Sequence, residues 1–95
     1  MLLDHLIIGG GLAGITIATH LFKQGKDFQL LETSSRLGGK IETQITDDAC
    51  LEFGPNSFTN QPDDIFYLLQ MLDLSDEVLA PSTASKNRYI LKNNK

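Results

Sequence analysis

Three glycines and one acid near the start of the chain have the types and spacing needed to bind a dinucleotide through its backbone. Gly9, Gly11 and Gly14 fit the pattern G-x-G-x-x-G. Glycine permits a sharp turn at the first position, and at the second it lets the backbone approach a pyrophosphate closely. Gly14 lets a helix lie close against a strand, so that the free N–H groups of the first helical turn face the phosphates. The pattern predicts a diphosphate site.

Glu32 follows these glycines near the offset at which dinucleotide sites carry an acid. Its carboxylate could accept hydrogen bonds from both ribose hydroxyls of an adenosine. The same charge would repel a 2′-phosphate, which disfavours NADP at this site. The glycines and Glu32 together do not distinguish NAD from FAD.

Hydrophobic periodicity predicts the elements that position these residues. The apolar run Leu6–Ile8 reads as a buried strand, and Phe28–Leu31 reads as a second strand parallel to it. Between them lies a helix that ends near Gly25, with an apolar stripe at Leu12, Ile15, Ala18, Leu21 and Phe22. The sequence predicts an α/β fold, the N-terminal part of a Rossmann-like FAD/NAD(P)-binding domain with a βαβ unit, extra strands and a helix.

The second half of the chain supplies the extra elements. Alternation over residues 41–45 predicts a half-exposed strand that turns at Asp47 and Asp48 before the apolar run Cys50–Phe53, where Cys50 is expected to be a small buried residue. A helix is expected after Pro62, with a broad apolar face at Ile65, Phe66, Leu68, Leu69 and Leu72. Arg88–Lys92 is expected to be a final strand.

A second motif follows Glu32, in which Arg36, Gly38, Gly39 and Lys40 form R-x-G-G-K. With this motif the chain resembles the flavin-dependent amine oxidase superfamily, although Lys40 stands where relatives can carry Arg or an aromatic residue. The resemblance implies FAD as the cofactor. Physically, the glycine pair permits a further close backbone approach, and a nearby cation offsets phosphate charge.

A third motif, Gly54-Pro55-Asn56-Ser57, makes the chain similar to the porphyrinogen oxidases of that superfamily. The resemblance implies that this segment passes beside the flavin and that a porphyrinogen is oxidised in haem biosynthesis. Alternatives are an amine oxidase, a carotenoid desaturase-like flavoenzyme, or a non-catalytic nucleotide-binding module. No catalytic residue can be named. The candidate FAD-binding residues are Gly9, Gly10, Gly11, Leu12, Ala13, Gly14, Glu32, Arg36, Gly38, Gly39, Lys40, Gly54, Pro55, Asn56 and Ser57.

Charge and residue composition exclude several classes of binding partner. A formal net charge of −4 without a basic cluster argues against nucleic acid, and the two histidines lack partners at metal-ligand spacing. One cysteine excludes an internal disulfide and suits a reducing cytoplasm, and no signal peptide is recognisable. The resemblance adds an expectation of peripheral membrane association for the intact protein.

Length limits what the chain can do alone. With 95 residues, two parallel strands and one helix, it does not complete a doubly wound sheet, whose faces are normally both covered. In the family that the chain resembles, the FAD-binding domain is discontinuous, so the resemblance implies that residues 1–95 are its N-terminal segment. Alone, this segment should be inactive, bind FAD weakly or not at all, and self-associate.

Overall fold

The computed structural model describes residues 2–59 and 63–93. The chain divides into two compact units, Met1–Thr59 and Asn60–Lys95. The first unit contains the glycine motifs and is built from a βαβ unit followed by a β-hairpin. The second unit is a short helix with two turns of 3₁₀ helix.

The βαβ unit comprises β1 (His5–Ile8), α1 (Leu12–Lys23) and β2 (Phe28–Leu31). The two strands pair in parallel, with Ile7 opposite Leu30. The helix ends where the Lys26 N–H donates to the Leu21 carbonyl (2.9 Å) and Gly25 adopts a φ of +66°. These findings confirm the positions of the predicted strand, helix and parallel strand, together with the helix stop at Gly25. The expectation that the first strand is buried is wrong at Leu6 and Ile8, which are exposed.

Packing in this unit is one-sided. Ile7 is 7% exposed and is the buried apolar residue of the described chain, whereas its neighbours Leu6 and Ile8 are 57% and 73% exposed. Successive strand residues face opposite sides of a sheet, and α1 covers only the side on which Ile7 lies. The apolar stripe of α1 is likewise only partly covered, because Ile15, Ala18 and Leu21 are half-buried and Phe22 is 72% exposed.

The hairpin joins β3 (Thr43–Ile45) to β4 (Cys50–Glu52) in antiparallel pairing. The Thr46 N–H donates to the Ala49 carbonyl (2.8 Å) and closes the turn that contains Asp47 and Asp48. The predicted strand, turn and strand are confirmed. The expectation that Cys50 is buried is wrong, since the residue is exposed. Both strands of the hairpin are exposed along their length, so no layer covers the cysteine within this unit.

The second unit contains α2 (Asp64–Met71), followed by 3₁₀ turns at Ser75–Glu77 and Thr83–Lys86. The helix lies where it was predicted, while Pro62 falls outside the described residues. The strand prediction for Arg88–Lys92 is wrong, because these residues form no strand in the described part of the chain. A strand requires a neighbour that accepts its backbone hydrogen bonds, and no described strand pairs with this segment. Among the described residues, no helix is long and apolar enough to cross a membrane.

Candidate dinucleotide-binding site

The first glycine loop (residues 9–11) lies at the carboxyl ends of β1 and β2, the edge at which open α/β sheets bind ligands. Gly9 has a φ of +100°, a conformation that favours glycine, and its N–H donates to the Leu31 carbonyl at 2.7 Å. Gly11 is the N-cap of α1, and within the described chain neither a side-chain cap nor an acid occupies the first turn. The N–H groups of that turn therefore remain free for an external anion.

The helix and the strand meet at a glycine contact. A Cβ added at Gly14 would overlap the carbonyl oxygen of Gly9 and would lie 3.4 Å from the Ile7 side chain. A Cβ at Gly11 would have only the Gly39 Cα within 4 Å, at 3.9 Å. Gly14 is thus required for close helix packing, whereas the space beside Gly11 is open. The predicted packing role of Gly14 is confirmed, whereas the approach of a diphosphate to Gly11 stays a prediction.

Glu32 joins the ends of the two parallel strands. Its Oε1 accepts a hydrogen bond from the Gly10 N–H (2.9 Å), and its Oε2 accepts one from the Ser34 N–H (2.7 Å). The hydrogen bond from the Ser34 N–H, followed by that from Gly10, lowers the pKa of Glu32 from 4.5 to about 2. A carboxylate has about four lone-pair sites, so it can accept hydrogen bonds from ribose hydroxyls in addition to these two.

The second glycine loop (residues 36–42) packs against the first. The Gly38 N–H donates to the Gly10 carbonyl at 2.8 Å, and a Cβ at Gly39 would lie 3.0 Å from the Gly11 Cα. The Arg36 guanidinium points into its own loop and pairs with Glu42 at 3.1 Å. The expected contact between Arg36 and a phosphate stays a prediction, and Lys40 is the cation of this loop that lines the adjoining cleft.

An open cleft with a volume of about 450 Å³ lies between the two glycine loops and the start of α1. It brings together most of the residues that the sequence singled out. Its lining is formed by Ile8, Gly9, Gly11, Leu12, Ala13, Gly14, Gly38, Gly39, Lys40, Ile41 and Pro55. The lining is dominated by glycine and apolar groups, which leaves backbone N–H groups accessible to a diphosphate.

The third motif reaches the cleft through its first half. A Cβ at Gly54 would overlap the carbonyl oxygen of Lys40, so glycine lets this segment pack against the second loop. Pro55 lines the cleft, whereas Asn56 and Ser57 are exposed and lie outside the lining. Their contact with a flavin stays a prediction.

No sequence motif selects Ser34 or Glu42, although both bond to predicted site residues. Ser34 binds Glu32 through its N–H, and its hydroxyl donates to the Arg36 carbonyl at 2.8 Å. A serine two residues after an acid is a weak turn signal that could have indicated this role. Glu42 lies in no motif, and its pairing with Arg36 follows only from the fold of the loop.

Comparisons with known proteins identify a matching family model and several similar proteins. Residues 12–95 match the family model described as flavin containing amine oxidoreductase. A coproporphyrinogen III oxidase from Bacillus subtilis (strain 168) is 35% identical over 94 residues, which cover 93% of this chain and 20% of that protein. The chloroplastic protoporphyrinogen oxidase 1 from Spinacia oleracea is 34% identical over 97 residues, covering 98% and 17%.

The structure of wild-type putrescine oxidase bound to putrescine superposes with a TM-score of 0.66 and 32% identity, covering 75% of this chain and 16% of that one. This likeness confirms the prediction of a Rossmann-like α/β fold. The chain spans about a fifth or less of the length of these relatives.

The two glycine environments predict different effects of an alanine substitution on stability. Gly14→Ala should lower the free energy of unfolding by about 1–3 kcal/mol, because its Cβ overlaps the Gly9 carbonyl. Gly11→Ala is the matched control and should leave the free energy of unfolding within about 0.5 kcal/mol of wild type while weakening dinucleotide binding. Chemical denaturation of both variants measures the free energy of unfolding, and FAD titration of the same variants in the expected longer enzyme measures binding. An unchanged or raised stability of Gly14→Ala would contradict the close helix–strand contact, since alanine is otherwise the better helix former.

The lowered pKa of Glu32 predicts an acid-sensitive contribution to stability. The ionised form is stabilised in the folded chain, so this contribution is complete above the unfolded pKa of 4.5 and is lost as the pH falls toward about 2. The difference in free energy of unfolding between wild type and Glu32→Gln should therefore shrink over this range. Denaturation at several pH values measures it. A difference that stays constant from pH 6 to pH 2 would show that the Glu32 carboxylate is not held by the Gly10 and Ser34 N–H groups.

Proposed function

Because this chain belongs to the flavin containing amine oxidoreductase family, we propose that its two glycine loops and Glu32 bind the ADP half of FAD in a longer enzyme that oxidises a porphyrinogen. The cofactor prediction itself is confirmed by the family, whose members contain flavin. The observation that carries the proposal is the carboxylate of Glu32, which accepts a hydrogen bond from Gly10 in the first glycine loop, the loop that lines the open cleft through its other two glycines.

The residues of this chain have a binding role in the proposed enzyme. The cleft and the free N–H groups at the start of α1 suit the diphosphate, Lys40 supplies positive charge, and Glu32 suits the ribose hydroxyls. Because the glycines of the cleft have no side chains, a diphosphate can approach their backbone closely. When bound, FAD accepts the hydrogens removed from a substrate, while the protein provides orientation and electrostatics.

The proposed substrate rests on the relatives and on the third motif. Two of the similar proteins are named for coproporphyrinogen and protoporphyrinogen, and the match to each covers more than nine tenths of this chain. Gly54 and Pro55, which the porphyrinogen-oxidase resemblance implicates in flavin contact, pack beside or line the cleft. Cytoplasmic location with peripheral membrane association remains part of this proposal.

Amine oxidation is the second candidate. The likeness to putrescine oxidase favours it, because that structure shares the fold over three quarters of this chain at 32% identity. A shared fold does not by itself select a substrate. The likeness therefore leaves porphyrinogen and amine substrates to be separated by experiment.

Substrate oxidation by the longer enzyme separates the two candidates. Coproporphyrinogen III, protoporphyrinogen IX and putrescine would each be supplied to the purified flavoprotein in air, with porphyrin absorbance or aldehyde formation as the readout. We expect turnover of at least one porphyrinogen and none of putrescine. The enzyme without FAD is the control for spontaneous porphyrinogen oxidation. Putrescine turnover without porphyrin formation above that control would contradict the proposed substrate class while leaving the FAD site intact.

A further inference from the structure

We propose that Arg36 and Glu42 are positioning residues that hold the second glycine loop in the shape that receives the dinucleotide. This inference rests on the proposed function, because it concerns how the same cleft is formed. It gives Arg36 a role other than neutralising phosphate, and it assigns a role to Glu42, which belongs to none of the three sequence motifs.

The Arg36 guanidinium bonds to several backbone carbonyls of its own loop. Its Nη1 donates to the carbonyls of Leu37 and Ile41, each at 3.1 Å. Its Nη2 donates to the carbonyl of Gly39 and to Oε2 of Glu42, the latter at 3.1 Å. One guanidinium thus fixes three carbonyl groups of a loop that contains two glycines with positive φ. Without such bonds, a glycine pair is free to adopt many other conformations.

The hydrogen-bonding capacity of Arg36 argues against direct phosphate binding. A guanidinium has five N–H groups, two on each Nη and one on Nε. The bonds to the three carbonyls and to Glu42 occupy the groups on both Nη atoms. A bidentate contact with a phosphate would require breaking at least one of them. The charge of Arg36 is also offset by the adjacent carboxylate.

The loop held by Arg36 forms one wall of the cleft. Gly38 and Gly39 line it, and the Gly38 N–H is bonded to the Gly10 carbonyl at 2.8 Å. A loop carbonyl that accepts from Arg36 cannot rotate toward an incoming diphosphate without losing that bond. Fixing the loop in advance therefore lowers the ordering cost of binding and removes a source of repulsion.

Substitution of Glu42 distinguishes the two roles by the sign of its effect. If Arg36 only attracted phosphate, Glu42→Ala would remove a nearby negative charge and free Arg36, so FAD would bind more tightly. If the pair positions the loop, the same substitution should raise the dissociation constant for FAD about threefold, as expected for loss of a partly exposed ion pair. Glu42→Gln should restore part of the affinity, because its amide oxygen can still accept from Nη2.

Two further variants test the proposal. Arg36→Lys keeps the charge of Arg36, and Glu52→Ala is the control for loss of a negative charge. Lysine keeps the charge but cannot reach three carbonyls and a carboxylate at once, so Arg36→Lys should weaken FAD binding about tenfold, and Arg36→Ala should weaken it to the same extent. Glu52 lies in the neighbouring hairpin, where it accepts from the Thr43 hydroxyl at 2.8 Å. Glu52→Ala removes the same charge without touching Arg36 and should leave FAD affinity unchanged.

The variants would be measured in the longer enzyme, stripped of FAD and titrated with it, together with amide hydrogen exchange at Gly38 and Ile41 without nucleotide. The proposal predicts faster exchange and weaker FAD binding for Glu42→Ala and Arg36→Lys, with both readouts unchanged for Glu52→Ala. It also predicts unchanged melting temperatures of the FAD-free variants. Tighter FAD binding by Glu42→Ala, or wild-type affinity in Arg36→Lys, would overturn it. A fall in melting temperature large enough to explain the lost affinity would overturn it too, because the effect would then be general destabilisation.

The exchange measurement separates this inference from the proposed function. Unchanged exchange in Glu42→Ala and Arg36→Lys would refute the positioning role while leaving FAD binding by the wild type intact. If the two variants exchange faster but the wild-type enzyme itself binds no FAD, the positioning role would stand and the proposed function of the cleft would be refuted.

Discussion

The ionised carboxylate of Glu32 is the interaction on which the arrangement of the site depends. It lies at the end of β2 and accepts from the Gly10 N–H in the loop after β1, so it fixes the two strand ends relative to each other. It also accepts from the Ser34 N–H, in the segment that leads to the second glycine loop. The second loop contacts the first, because the Gly38 N–H donates to the Gly10 carbonyl. Gly10, which is buried, is therefore bonded from both sides, and the cleft forms next to it.

Hydrogen bonds of this kind are important for the stability of the described chain because little apolar surface is buried. Ile7 is the buried apolar side chain among the described residues, and the face of the sheet opposite α1 presents Leu6 and Ile8 to solvent. Parallel strands are normally covered on both faces. The loops around the cleft are instead held by backbone hydrogen bonds, by the Arg36 guanidinium and by contacts that only glycine permits. Local geometry of the site is thus determined within the first unit.

Much of this unit was predictable from the sequence because its determinants are local. Glycine spacing, the apolar period of α1 and the position of Glu32 each act over one strand or one helical turn, so the βαβ unit and its acid follow from the pattern. The errors concern residues whose state depends on distant neighbours. Burial of Cys50 needs a layer that covers the hairpin, and a strand at residues 88–92 needs a pairing partner. Neither is present in the described structure, where both segments are exposed.

The site residues that the sequence did not predict have a different physical origin. Ser34 acts through its backbone N–H, a group that almost every residue type carries, so its identity gives little information. Glu42 pairs with Arg36 only because the loop between them turns back on itself. By contrast, Gly14 and Gly54 carry a signal in their identity, since a Cβ at either position would overlap a carbonyl oxygen. Sequence patterns therefore reveal steric requirements more readily than they reveal hydrogen-bond partners.

The proposed function requires Glu32 and the glycine loops to bind a dinucleotide whose adenosine ribose carries free hydroxyls. The melting temperature of the proposed longer enzyme, stripped of FAD, would be measured in the presence of FAD and, separately, of NADP. A ligand that binds only the folded state at 100 times its dissociation constant stabilises it by about 2.7 kcal/mol. We expect a clear rise with FAD that Glu32→Ala reduces, and no rise with NADP, whose 2′-phosphate would face the carboxylate. A rise with NADP and none with FAD would contradict this function of Glu32.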